Sequence, residues 1–250
     1  MRRESSGAGE ETSVVMLHPP IVEGQGVPDF FWLHIKKAGG ESFRKSFTPP
    51  YVQTDRRTNF KPFVALPREE WNDALNNYRI PLGEYDYKRM LFAKRFLYTE
   101  SEFAGMFKFV IVRNPYDRAV SCWKYLSRQR MTWCDVRKQL MKRSFERFLR
   151  ELPELWETKW DRHFATHTAP MWGDISDEAG SSLMDHIVKL EDINEQIAFL
   201  NRRLNTRIAQ YAHVNRSRKE SDYRRHHSSR TRSLVETLYK DDIHKLGYSF

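Results

Sequence analysis

An α/β fold with a central parallel sheet flanked by helices is predicted by three observations. Two short, nearly continuous apolar runs, Phe30–Ile35 and Phe107–Val112, each stop at a polar turn. Each turn is followed by apolar residues at helical spacing. Further on, Ile187–Leu190 repeats the arrangement. Strands that are apolar along their whole length are covered on both faces, and strands that alternate with helices pair in parallel. The chain reads as a flexible tail, residues 1–28, followed by a single domain, residues 29–250.

Taking the elements in order, Glu41 onward is expected to be helical, with Phe43 and Phe47 on one face. Residues 48–62 read as loop. Residues 67–78 suggest a short helix, with Pro67 at its start and Trp71, Leu75 and Tyr78 on one side. Residues 89–98 read as a possible strand. After the second apolar run, Asn114 can cap a helix and Pro115 suits its first turn, so a helix to about Arg128 follows. A basic amphipathic helix is expected over 134–150, a loop over 165–182, a helix from Ile193 to Leu204 and a strand near 209–214. A last helix covers 229–246 and stops at Gly247.

The net charge of +9 points to an anionic partner, although surplus surface charge that serves only solubility has the same sign. The two cysteines, Cys122 and Cys134, form neither a disulfide framework nor a CxxC metal site. Cys122 falls in an apolar helical pattern and is expected to be buried. No apolar run approaches the roughly 18 residues of a membrane span, and the N-terminus lacks a signal-like stretch. The expectation is a soluble protein of a reducing compartment, the cytoplasm, with no metal. Oligomeric state is not encoded in any readable way.

The two turns carry the chemistry. In the first, Lys36, Lys37, Ala38, Gly39, Gly40, Glu41 and Ser42 follow a strand. Gly39 and Gly40 let the backbone approach an anion, Ser42 offers a hydroxyl and the lysines supply charge. An ordinary Gly-Gly connection between strand and helix would look the same. The Walker pattern is absent, because the lysines precede the glycines, which disfavours a kinase. In the second turn, Arg113 stands at a strand's carboxyl end, where ligands of open α/β sheets bind, and Ser121 lies eight positions on. A guanidinium there can clamp a phosphate or close a salt bridge in the sheet's rim.

Read together, the segments are more specific. HIKKAGGESF (34–43) resembles the HIPKTGGTS-type 5′-phosphosulfate loop of sulfotransferases. FVIVRNPYDRAVSCW (109–123) is similar to their 3′-phosphate motif. KLEDI (189–193), AHVNRSRKESDYRR (212–225) and LYKDDIHKLGYSF (238–250) resemble three later segments of the same family, in the same order. The resemblance is to the carbohydrate-type sulfotransferases, whose three-layer P-loop-like fold binds 3′-phosphoadenosine 5′-phosphosulfate (PAPS) and releases the bisphosphate 3′-phosphoadenosine 5′-phosphate (PAP). It implies that Lys37 is the catalytic lysine and that Lys36 to Ser42 hold the 5′-phosphate. Arg113 and Ser121 then bind the 3′-phosphate, and Lys219 and Tyr223 close over the nucleotide. The acceptor it implies is a hydroxyl, less readily an amine, of a glycan or glycan-like molecule, without metal.

The chain departs from the family pattern at three places. Lys36 stands where the family has proline, Glu41 replaces its second threonine, and AKRFLYTESEF (93–103) holds no histidine where many relatives carry a general base. His163, in DRHFATHTAP, resembles a family segment near the acceptor cleft and is the first candidate for that base, followed by His167 and Glu41. His163 is equally readable as a structural or substrate-binding histidine, and His34 as a core residue. The basic segment 216–232 carries seven Arg or Lys and two His. It reads as nucleotide lid and anionic-acceptor contact, or as a plain basic loop. Its sparse aromatics argue against nucleic acid. A sulfotransferase-fold binding protein without activity is the alternative to the enzyme.

Overall fold

Alternate residues of each strand feed two different cores, which makes the sheet a middle layer. The strands are β1 (Phe30–Leu33), β2 (Phe107–Val112) and β3 (His186–Lys189), parallel and in the order β1-β2-β3. Phe30 pairs with Phe107 and Phe109 with His186. Phe31, Leu33, Val110, Val112 and Ile187 point to one core, and Trp32, Phe107, Phe109, Ile111 and Val188 to the other. All six residues of β2 are buried, including Lys108, whose ammonium donates to the carbonyls of Phe103 (2.9 Å) and Met106 (2.8 Å). The computed structural model describes residues 24, 26–46, 63, 66–77, 80–129, 136–206, 208 and 222–250.

The helices in chain order are α1 (Gly40–Ser46), α2 (Trp71–Leu75), α3 (Arg89–Phe92), α4 (Glu100–Gly105), α5 (Pro115–Ser127), α6 (Val136–Arg143), α7 (Phe145–Thr158), α8 (Arg162–Thr168), α9 (Met171–Ile175), α10 (Ile193–Leu204), α11 (Ser229–Leu238) and α12 (Lys240–Lys245). Phe43 of α1 joins Ile193, Leu200 and Leu204 of α10 on one side of the sheet. Residues of α2, α3, α4 and α9 cover the other side. Residues of α5, α6, α7, α8 and α11 form a third cluster beside the sheet. Ahead of β1, Gly24 N–H donates to Glu102 Oε1 (2.9 Å), and Val27 packs on the core. Among the described residues no helix is long and apolar enough to cross a membrane.

Several expected elements differ from those observed. Residues 89–97 are helical, α3 running into a π turn at Ala93–Leu97 that ends at the extended Tyr98. Met90, Ala93 and Leu97 recur at helical spacing and are buried, while Lys94 and Arg95 face outward. The single helix expected over 134–150 is two, because Ser144 leaves the helical conformation and its hydroxyl accepts from Arg147 N–H (3.3 Å) as a cap. The loop expected over 165–182 is largely α8 and α9. The Asp161 carboxylate caps α8 (2.9 Å to Phe164 N), and that of Asp242 accepts from Met171 N (2.9 Å) and Trp172 N (2.7 Å) to cap α9. The last helix is broken at Tyr239, whose buried hydroxyl donates to the Thr168 carbonyl (2.8 Å). The loop at 48–62, the strand at 209–214, Phe47, Tyr78 and Cys134 lie outside the described residues.

Candidate active site

The first turn rests on a buried polar strut. Asn72 and Asn76 donate to the Trp32 carbonyl (2.9 and 2.7 Å), and Asn76 Oδ1 accepts from His34 N–H (2.7 Å). The Arg89 guanidinium donates to the His34 carbonyl (3.3 and 3.4 Å) and is held by Asp174 through Nε (3.1 Å) and NH2 (2.8 Å). The backbone groups just past β1 are thus paired from below, which fixes where the turn starts.

Lys37 and Gly39 both have positive φ, 65° and 82°, which turns the chain sharply between β1 and α1. Gly40 is required for another reason. A Cβ there would stand 2.1 Å from His34 Cδ2, because the imidazole lies flat over Gly40 and stacks on Trp32 at 5.1 Å between centroids. Lys36 Nζ, which can only donate, points to His34 Nδ1 (3.3 Å). Burial holds the His34 pKa well below the ordinary histidine range, with Lys36, Arg44, Arg89 and His167 adding to it. His34 is therefore the neutral core residue expected. Gly40→Ala is expected to cost about 3 kcal/mol in a denaturant titration, since the ring has no room to retreat. Ala38 and Ser42 are buried, Glu41 is half-buried in the first turn of α1, and Ser42 N–H donates to the Gly39 carbonyl (3.0 Å).

The second turn locks onto the first. Arg113 NH1 donates to the Lys37 carbonyl (3.2 Å) across 76 residues of sequence, and Arg118 Nε donates to the Lys36 carbonyl (3.1 Å). Arg118 is buried and also reaches the His167 carbonyl (3.2 Å), so it braces the turns rather than facing a ligand. Arg113 remains partly exposed and closes an ion pair with Asp117, Nε at 2.9 Å and NH2 at 2.7 Å from Oδ2. The rim salt bridge expected as the alternative for Arg113 is thus present; with the bond to the Lys37 carbonyl it engages three of the five guanidinium N–H groups. Ser121 is half-buried on α5, one turn beyond Asp117.

Cations converge here. Burial lowers the Lys37 pKa, with Arg113 and Arg128 adding to it and Cys122 and Glu41 opposing. Lys124 is also lowered by burial, with Arg128, Arg225 and Arg113 adding and Asp117 opposing. Positive neighbours that add to the depression of two lysines mark a place that favours an anion.

The histidine pair meets Lys37 through Tyr125. Lys37 Nζ sits 4.3 Å from the centroid of the Tyr125 ring. The His167 ring stacks on Tyr125 at 5.0 Å, and His163 lies 4.3 Å from His167 and 6.1 Å from Tyr125. His167 Nδ1 donates to the His163 carbonyl (2.7 Å), which leaves Nε2 with its lone pair. Burial, then the neighbouring His163, brings the His167 pKa down to about 3, with Lys36 and Lys37 adding and its own hydrogen bond opposing. His167 is therefore neutral at ordinary pH and a poor proton acceptor. His163, half-buried at the start of α8, is the more accessible ring.

The later segments close the edge of the sheet. Glu191 accepts from Asn114 N–H (2.8 Å) and from the Tyr248 hydroxyl (3.1 Å), and Lys189 donates to the Gly247 carbonyl (3.1 Å). Tyr223 comes beside the second turn, its hydroxyl accepting from Asn114 Nδ2 (3.5 Å) and its ring edge-on to Phe250 at 5.9 Å. Lys219 lies outside the described residues. Tyr125, Lys124 and Arg128 were not singled out in the sequence. The signal was there, since they follow Ser121 at helical spacing on the face that bears Asp117. Among the described residues no group of three or more His, Cys, Asp or Glu side chains comes together as a metal site.

The family model described as "Sulfotransferase family" matches residues 25–249. No curated protein and no solved structure matches the chain.

Proposed function

Because this chain belongs to the sulfotransferase family, a family of sulfuryl-transferring enzymes, we propose that its donor is PAPS and its acceptor a carbohydrate hydroxyl. The observation that carries the donor reading is the junction of the two turns. Arg113 donates to the Lys37 carbonyl, so the cation set for one phosphate is tied to the loop set for another. The site residues fit such a donor: the turn at Lys36–Ser42 bends back at two positive-φ residues, and Arg113 and Arg128 both add to the depression of Lys37 and of Lys124.

When bound, PAPS supplies the sulfuryl group and a 5′-phosphate leaving group. In the proposed mechanism Lys37 presents its ammonium to the oxygen on which charge grows, the kind of charge stabilisation that acts in the transition state. The turn from Lys36 to Ser42 orients the 5′-phosphate, and Arg113 and Ser121 hold the 3′-phosphate. Tyr223 flanks the nucleotide from the segment beside Asn114. Proton removal from the acceptor falls to His163, the accessible member of the pair that packs on Tyr125. His167, its own ring fixed by the bond to the His163 carbonyl, packs beside the His163 ring at 4.3 Å.

Calorimetric titration with PAP, 5′-AMP and ATP, with and without Mg²⁺, tests the donor reading. The expected result is metal-independent preference for PAP. Arg113→Ala is expected to weaken PAP by about tenfold to a hundredfold and AMP much less, since only PAP carries a 3′-phosphate. Equal affinity of the wild-type chain for PAP and AMP overturns the reading.

A further inference from the structure

The proposed 3′-phosphate site contains an acidic side chain in the place where an anion is to be bound. Arg113, Asp117, Ser121, Lys124 and Arg128 follow one another at helical spacing along one face of α5 and its flanks. Asp117 Oδ2 takes both Nε and NH2 of Arg113. Its charge also opposes the depression of Lys124, so it serves two cations at once. The pair is not sealed: 23% of the Arg113 side chain and 30% of that of Asp117 remain exposed. Carboxylate and phosphate oxygens make the same demand on a guanidinium, so an incoming phosphate and Asp117 contend for one group.

Resting on the donor reading above, we propose that Asp117 is a resident counter-ion of the 3′-phosphate site that limits affinity for the bisphosphate and speeds its release. The 3′-phosphate is unchanged by sulfuryl transfer, so whatever grips it grips donor and product alike. Such uniform binding leaves the chemical barrier where it was and slows product departure. A carboxylate on the neighbouring turn holds Arg113 in orientation before the donor arrives. It then repels the bound phosphate and takes the guanidinium back as PAP leaves. Asp117 is thus a positioning and affinity-setting residue, one step removed from the reacting atoms.

The test is titration calorimetry of the full chain with PAP and 5′-AMP at low salt, with PAP dissociation followed by stopped-flow displacement. Wild type is compared with Asp117→Asn, which keeps an acceptor oxygen for Arg113, and Asp117→Ser, which removes most of the contact. Thermal melting confirms that each is folded. Both variants are expected to bind PAP about tenfold tighter and release it correspondingly more slowly, the difference narrowing as salt is raised. Their affinity for AMP should stay within about twofold of wild type, because AMP has no phosphate at this site. Unchanged or weaker PAP binding in the folded variants, alongside wild-type preference for PAP, overturns the proposal alone. A wild-type chain that does not distinguish PAP from AMP overturns the donor reading, and this proposal with it.

Discussion

Lys37→Ala is expected to lower kcat for sulfuryl transfer by about 10³-fold while PAP affinity falls by about tenfold or less. The asymmetry follows from where the ammonium sits. Lys37 Nζ rests against the Tyr125 ring, 4.3 Å from its centroid, and the His167 ring stacks on the same tyrosine. Its charge matters most when the leaving oxygen gains charge. The backbone of the turn, which holds the ground state, survives the substitution because Arg113 and Arg118 bind carbonyl groups and not side chains there. A pH profile sharpens the expectation. Lys37 is competent as the ammonium, and burial lowers its pKa, so activity is present below that pKa and lost as pH rises through it. The alkaline limb of kcat should therefore lie below the ordinary lysine range, and it should be absent from the residual activity of Lys37→Ala. Single-turnover transfer assays with labelled donor measure both. Retained turnover removes Lys37 from its role.

Asp174→Ala is expected to destabilise the fold by about 3–5 kcal/mol, read from a denaturant midpoint at unchanged slope. The carboxylate is buried and accepts three bonds from Arg89: its N–H (3.2 Å), Nε (3.1 Å) and NH2 (2.8 Å). Removing it leaves a guanidinium buried without its counter-charge under the His34 carbonyl, where β1 enters the first turn. Activity should fall with stability, because the strut that sets the turn also loses its anchor. Asp174→Asn, which restores one acceptor, should recover part of the loss. A change of less than about 1 kcal/mol in Asp174→Ala would show that the pair does not hold the turn.

How much of this was readable depends on how local each feature is. β2 and α5 were legible because every signal lay within a few residues: a nearly continuous apolar run, an Asn cap and a Pro at the first helical position. Residues 89–98 read as a possible strand because RMLFAKRFLY is apolar nearly throughout, with buried residues on both sides of the exposed Lys94 and Arg95, so its helical period is masked. α9 was invisible for a different reason. Its cap is Asp242, about seventy residues away in the chain, and no local pattern encodes that. In the site, Lys37, Arg113 and Tyr223 were named from motif position. Arg118 could be settled as a brace only once the Lys36 and His167 carbonyls were seen on either side of it.

The sequence alone determined the family and, in outline, the two turns at the strand ends. Glycines that permit tight turns, cations at strand ends and a helix cap act over one or two residues, and their spacing along the chain is their geometry. Only the tertiary structure decided which of these groups meet. The seating of Lys37 on Tyr125, the pairing of His163 with His167, the hold of Asp117 on Arg113 and the bridge from Arg113 to the Lys37 carbonyl depend on how α5 and α8 pack beside the sheet. Packing is set by the summed burial of many apolar faces. The distance between two side chains it brings together is therefore a property of the whole fold, not of the spacing between any two residues.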